Sequence, residues 1–167
     1  MENQQNLEWQ KIFYVNINGI AGNKLTNLRH TVDELEPDII GITETHLKGD
    51  AEVSYFFDYN WIGENSDRTN KDQKGVGMLL KKHLQFSILP PNPLFFERGR
   101  CLGIEIGNNR IYIVYLPVSS DEPDKINLCY EGLGQIVSEA KMENKLITII
   151  GDFNSHLNGY MHDSNSD

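Results

Sequence analysis

The feature that most constrains this chain is the order strand, helix, strand within its first 45 residues. "WQKIFYVNI" (Trp9–Ile17) alternates and is rich in aromatic and β-branched residues, which predicts a strand. Asn23 then stands where a helix would be capped, and Leu25, Leu28, Val32 and Leu35 recur as one apolar stripe that Pro37 closes. "DIIGITET" (Asp38–Thr45) is mostly apolar, the pattern of a strand covered on both faces. Two strands joined through a helix form a crossover unit of the kind that pairs in parallel. That places the chain in the α/β class, with helices packed on a sheet.

The middle of the chain reads differently. "GVGMLLKKH", "LQFSIL", "CLGIEIG" and "RIYIVYLP" are four short runs separated by turn residues such as "PPNP" and "GNNR". They predict an antiparallel meander, with Asn108-Asn109 as a hairpin turn. A second helix follows, capped near Ser119–Asp121 with Pro123 in its first turn. Ile126, Cys129, Leu133, Ile136, Val137 and Ala140 would form its apolar face. It leads into "KLITII", which reads as another buried strand. No repeat, low-complexity tract or linker divides the 167 residues, so residues 1–167 read as a single domain with a mixed sheet and flanking helices.

Composition narrows the function. No apolar run approaches the roughly 20 residues that cross a bilayer, so no membrane partner is expected. The polar start "MENQQNLEWQ" has no secretory pattern. Cys101 and Cys129 form neither a disulfide framework nor a zinc spacing and read as free thiols of a reducing, intracellular compartment. The net charge of −9 argues against bulk electrostatic affinity for nucleic acid and is compatible with acidic residues gathered around a divalent cation.

The polar residues that interrupt this pattern share one address, the carboxyl end of a strand. Asn16 and Asn18 close the first strand, Glu44 the second, Tyr115 the "IYIVYLP" strand, and Asp152 and Asn154 the last. Each alone has an ordinary explanation: Asn-Gly is a common turn, and tyrosine is commonly a packed amphipathic ring. Their coincidence on four strands points to a site, because ligands of open α/β sheets bind at that edge. Glu and Asp oxygens with amide carbonyls are hard ligands suited to Mg²⁺ or Mn²⁺. Period two puts Asp152 and Asn154 on one side of the last strand, with Phe153 turned into the core. A carboxylate there can orient a water, and an amide can donate to a phosphate oxygen.

"NING", "PDIIGITETHL", "VYLP" and "IIGDFNSH" together resemble the endonuclease/exonuclease/phosphatase superfamily, and within it the endonuclease domain of non-LTR (LINE-type) retrotransposons. The resemblance runs from about Lys11 to His156. It implies a four-layer αββα sandwich of the DNase I-like type. It also implies Mg²⁺ (or Mn²⁺) as cofactor, DNA as substrate, a reverse transcriptase domain in the full-length element, and work in the nucleus. By position, Glu44 would be the principal metal ligand and Asn16 its neighbour at the metal. Tyr115 would contact the phosphate, Asp152 would position or activate the attacking water, and Asn154 would help to stabilise the phosphorane. Asn18 would be structural.

The family's second half, with a further Asp and a terminal Ser-Asp-His motif, has no counterpart here; His156 and His162 stand at the wrong distance. The expectation is therefore an incomplete domain, truncated at its C-terminus: the N-terminal half plus an edge, leaving an apolar sheet face uncovered. Three readings stay open: a Mg²⁺-dependent target-nicking endonuclease, a phosphoesterase of the same fold acting on RNA or another phosphate ester, and a non-catalytic remnant.

Overall fold

The computed structural model describes residues 10–66, 74–95, 97–118 and 121–154. Eight strands and two helices follow in the order β1 (Ile12–Asn16), α1 (Asn23–Leu35), β2 (Ile39–Thr43), β3 (Tyr59–Glu64), β4 (Val76–Lys81), β5 (Ser87–Ile88), β6 (Cys101–Ile106), β7 (Asn109–Tyr115), α2 (Pro123–Met142) and β8 (Leu146–Asp152). They form two four-stranded sheets, ordered β1-β2-β4-β3 and β5-β6-β7-β8. Each is mixed: β1 and β2 pair in parallel, as do β7 and β8, and the other pairings are antiparallel.

Period two along the strands explains the layering. On β2, Ile40 and Ile42 face α1 and pack with Leu28 and Val32, whereas Ile39 faces the other sheet. Val76, Met78 and Leu80 of β4 meet Leu102, Ile104, Ile111 and Ile113 of the second sheet in the core between the sheets. Val114 of β7 and Leu116 just beyond it pack with Cys129 of α2 on the outer side. The result is helix, sheet, sheet, helix, the expected αββα sandwich.

Several expectations change. The four middle runs do not make one meander: β4 pairs with β2 and β3 in the first sheet, and β5, β6 and β7 lie in the second. Burial drives the split, since β4 is almost wholly buried and would lose that cover beside the short, exposed β5. The strand β3 was not foreseen. The hairpin turn is Gly107-Asn108, one residue earlier than expected, because Ile106 pairs with Asn109 and Gly107 takes φ 56° at the first turn position. Neither helix has a side-chain cap: α1 starts at Asn23 after Gly22, and α2 relies on Pro123 at its first position. Of the expected cap region, Ser119 and Ser120 lie outside the described residues, as do Trp9, His156 and His162.

The strand "KLITII" is half-buried, not fully buried, because β8 is an edge strand of its sheet. The expected uncovered sheet face is not seen among the described residues: the inner faces cover each other and each outer face carries a helix. Among the described residues the sheets end together at one edge, with β1 and β8 the outermost strands on the same flank and in contact with each other.

Gly151 is dictated by this geometry. Its φ is 144°, and a Cβ there would lie 1.9 Å from the Val114 carbonyl oxygen of the neighbouring strand. Gly151→Ala should therefore cost about 2–4 kcal/mol, from backbone strain and a shifted β7–β8 ladder, as measured by urea unfolding. A loss below about 0.5 kcal/mol would contradict the geometry.

Candidate active site

The four strand ends that carry the candidate residues meet at one rim of the sandwich. Each side chain is the next inward-facing position after a core residue: Asn16 after Tyr14, Tyr115 after Ile113, and Asp152 after Ile150. Register aligns them, with Asn16 opposite Thr43 in the first sheet and Tyr115 opposite Asp152 in the second. Glu44 follows β2 directly and takes a left-handed conformation at φ 53°. Its carbonyl accepts from Gly19 N at 2.6 Å. Thr45 N donates to the Gly75 carbonyl and His46 N to that of Lys74, both at 3.1 Å.

The amide of Asn16 joins the two sheets. Its nitrogen donates to Glu44 Oε1 and to Asp152 Oδ2, each at 2.9 Å, and its oxygen accepts from Asn18 N at 3.2 Å. Two carboxylates from different sheets thus converge on one polar hydrogen-bond donor. Asp152 is held on its other oxygen by Asn154 N at 3.0 Å.

Asn154 sits differently from expectation. The strand ends at Asp152, and Asn154 turns to φ 44°, so period two does not carry through. Its amide nitrogen donates to the Leu116 carbonyl at 2.8 Å, pinning the end of β8 to the segment after β7. Phe153 consequently points outward and is 37% exposed, where a core position was expected.

Tyr115 has its phenol pushed up to about 12, by burial first, then by the negative charge of Glu44 and a hydrogen bond to it. The phenol is thus a neutral donor at any physiological pH. Two further residues belong to the site and were not foreseen. Tyr14 Oη shares a hydrogen bond with Thr43 Oγ1 at 3.0 Å, and burial raises its pKa, with Asp152 and Glu44 adding to the shift. The signal for Tyr14 was available, since it stands two residues before Asn16 on the same strand face. His46 Nε2 is buried without a hydrogen-bond partner, 3.8 Å from Glu44 Oε2. Its placement follows from φ 57° at His46, which sequence spacing does not reveal.

This donor set suits a hard cation. Two carboxylates face one point and are hard ligands, whereas Asn16 shows them its NH₂ group, which donates and cannot ligate, and its oxygen accepts from Asn18 N. Among the described residues no cluster of three or more His, Cys, Asp or Glu could hold a metal. A cation at this rim would therefore take few protein ligands and complete its shell with water or phosphate oxygens, the habit of Mg²⁺.

Over residues 13–162 the chain matches the Endonuclease/Exonuclease/phosphatase family, and it belongs to that family. Solved structures of similar fold include the 3′-5′ exonuclease of Neisseria meningitidis, at TM-score 0.69 and 19% identity over 86% of this chain and 57% of that one. An AP endonuclease from Leishmania major aligns at TM-score 0.64 and 17% identity, over 86% of this chain and 54% of that one. A Neisseria 3′ phosphatase bound to a product DNA hairpin aligns at TM-score 0.66 and 18% identity, over 87% and 58%. The chain thus spans little more than half the length of these structures. No curated protein matches it in sequence. Among the described residues no helix is long and apolar enough to cross a membrane.

Spectrophotometric titration should show tyrosines that ionise only at about 12, assigned to Tyr59 and Tyr115. Tyr115→Phe should remove one of them. Because the folded value lies above the unfolded value near 10, this contribution to stability is complete below pH 10 and is lost as pH rises towards 12. A Tyr115 phenol that titrates with the exposed tyrosines would refute this burial.

Proposed function

We propose that this chain is a Mg²⁺-dependent phosphodiesterase that nicks DNA, the target-site endonuclease of a LINE-type retrotransposon. The observation that carries the proposal is the convergence of Glu44 and Asp152, from two different sheets, on the single Asn16 nitrogen. Family membership and the motifs "NING", "ETHL", "VYLP" and "IIGDFNSH" support it.

In this reading Glu44 is the principal metal ligand, with Asn16 beside it. The bound ion would supply Lewis-acid stabilisation of charge on a phosphate oxygen. Asp152 accepts a proton from, or orients, the attacking water, and its fixed hydrogen bond from Asn154 N sets the direction of its free lone pairs. Tyr115, kept neutral by its raised pKa, donates its phenolic hydrogen to the phosphate on release of Glu44. Asn154 holds Asp152 in place and, on release of the Leu116 carbonyl, adds a donor for the phosphorane. Chromosomal DNA in the nucleus is the substrate, and a reverse transcriptase domain of the same element is the partner. A second reading, phosphate release from DNA 3′ ends, is favoured by the likeness to the Neisseria 3′ phosphatase.

Supercoiled plasmid with Mg²⁺ tests the proposal. Glu44→Ala and Asp152→Asn should each lower the nicking rate by about 10²–10³-fold without changing the folded fraction. A 3′-phosphorylated oligonucleotide run alongside separates the two readings. Wild-type protein that nicks no better than Glu44→Ala would end the endonuclease reading.

A further inference from the structure

A site shared between two sheets works only if their ends keep a fixed separation. The Asn16 amide is one tie, and a second lies behind the site. The Glu97 carboxylate accepts from Lys74 Nζ and from Arg100 Nε and Nη2, the latter two at 3.2 and 3.0 Å. Lys74 stands at the end of the first sheet that carries Glu44: its carbonyl accepts from His46 N at 3.1 Å. Arg100 stands at the Tyr115 end of the second sheet and is only 3% exposed. Its carbonyl accepts from Tyr115 N at 2.8 Å, and its Nη1 donates to the Tyr115 carbonyl at 3.3 Å. The guanidinium also lies 5.7 Å from the centre of the Tyr115 ring.

A continuous line of contacts therefore runs from the backbone beside Glu44, through Lys74, Glu97 and Arg100, to Tyr115, which pairs with Asp152. Burial raises the pKa of Glu97, but hydrogen bonds from Lys74 and Arg100 outweigh it and hold the carboxyl below its usual range. A comparable cluster at the opposite end of the β6–β7 hairpin serves as contrast. There Glu105 accepts from Arg110 Nε at 2.9 Å and Lys145 Nζ at 2.7 Å, but those partners belong to its own sheet.

We propose that Glu97 and Arg100 are positioning residues for the candidate active site: the Lys74–Glu97–Arg100 cluster holds the Glu44 end of one sheet in register with Tyr115 and Asp152 on the other. The proposal rests on the metal-dependent phosphodiesterase reading above. Arg100 is suited to the task because a planar guanidinium can contact Glu97 and the Tyr115 carbonyl at once, which a lysine ammonium cannot match in geometry.

The test compares wild type with Glu97→Gln, Arg100→Lys and Glu105→Gln in the full chain. Mn²⁺ binding is followed by water-proton relaxation, plasmid nicking by steady-state kinetics, and stability by thermal midpoint. Glu97→Gln and Arg100→Lys should weaken Mn²⁺ binding by at least about threefold and lower kcat by at least about tenfold, with KM for DNA nearly unchanged. Glu105→Gln should lower the midpoint and leave binding and kcat alone. In a Tyr115→Phe background, Glu97→Gln should cost less kcat than in wild type, because part of its effect is to displace the Tyr115 hydroxyl, which that background lacks. If Glu97→Gln does not fold, Arg100→Lys decides alone. Variants that only shift the midpoint, as Glu105→Gln does, overturn the proposal. Wild type that binds Mn²⁺ but does not nick DNA refutes the substrate reading, and the Mn²⁺ measurements still decide the positioning claim. Wild type that binds no Mn²⁺ overturns both.

Discussion

Everything at the candidate site depends on how closely the two sheets approach. Gly41, in the middle of β2 on its inner face, marks the contact: a Cβ there would lie 2.6 Å from Ile150 Cδ1 and 2.7 Å from Ile113 Cδ1. Those two isoleucines immediately precede, by one inward-facing step, Asp152 and Tyr115. The packing that sinks Ile150 and Ile113 into the first sheet therefore also brings Asp152 and Tyr115 up to Asn16 and Glu44. Interiors at crystal-like density transmit small displacements with little loss. The spacing of the carboxylates is a property of the core and only secondarily of the loops.

Electrostatics pulls the other way, since two carboxylates brought together repel unless something positive stands between them. The Asn16 amide does so here, through its dipole and two hydrogen bonds. Elsewhere, cations are committed within the fold. Lys74 and Arg100 pair with Glu97, Arg110 pairs with Glu105 and Glu143, and Lys145 pairs with Glu105. The chain as a whole carries a net charge of −9, and these four cations are engaged within the fold. A cation held at Glu44 would supply positive charge at that rim.

The sequence was most legible where local pattern decides structure. The crossover β1–α1–β2 and the apolar face of α2 follow from periodicity, although Val137 turned out 41% exposed. The strand-end position of Asn16, Glu44, Tyr115 and Asp152 followed from reading where apolar runs stop. What could not be read was set by distant partners. Nothing in "GVGMLLKKH" and "LQFSIL" says that they join different sheets, since that depends on which buried strand claims β4. "KLITII" is apolar enough for a central strand, yet β8 is an edge strand; its composition reports the burial of its faces and not its neighbours. The Lys74–Glu97–Arg100 cluster joins residues whose nearness is a consequence of the sandwich itself.

Backbone conformation gives an independent reason to regard the rim as a working site. Six non-glycine residues have positive φ among the described residues: Asn18, Glu36, Glu44, His46, Asn144 and Asn154. Glu36 and Asn144 stand just after α1 and α2, where a left-handed residue is an ordinary way to leave a helix. The other four cluster at the carboxyl ends of β1, β2 and β8. Such conformations each cost free energy, least for asparagine and more for residues such as glutamate. Glu44 is held in its own by two backbone bonds of the Glu44–Thr45 peptide: Gly19 N to the Glu44 carbonyl, and Thr45 N to that of Gly75. A chain under selection for stability alone would have little reason to retain a strained glutamate whose carboxylate faces that of an aspartate. The strain is intelligible if the carboxylate must point where it does, towards the point it shares with Asp152.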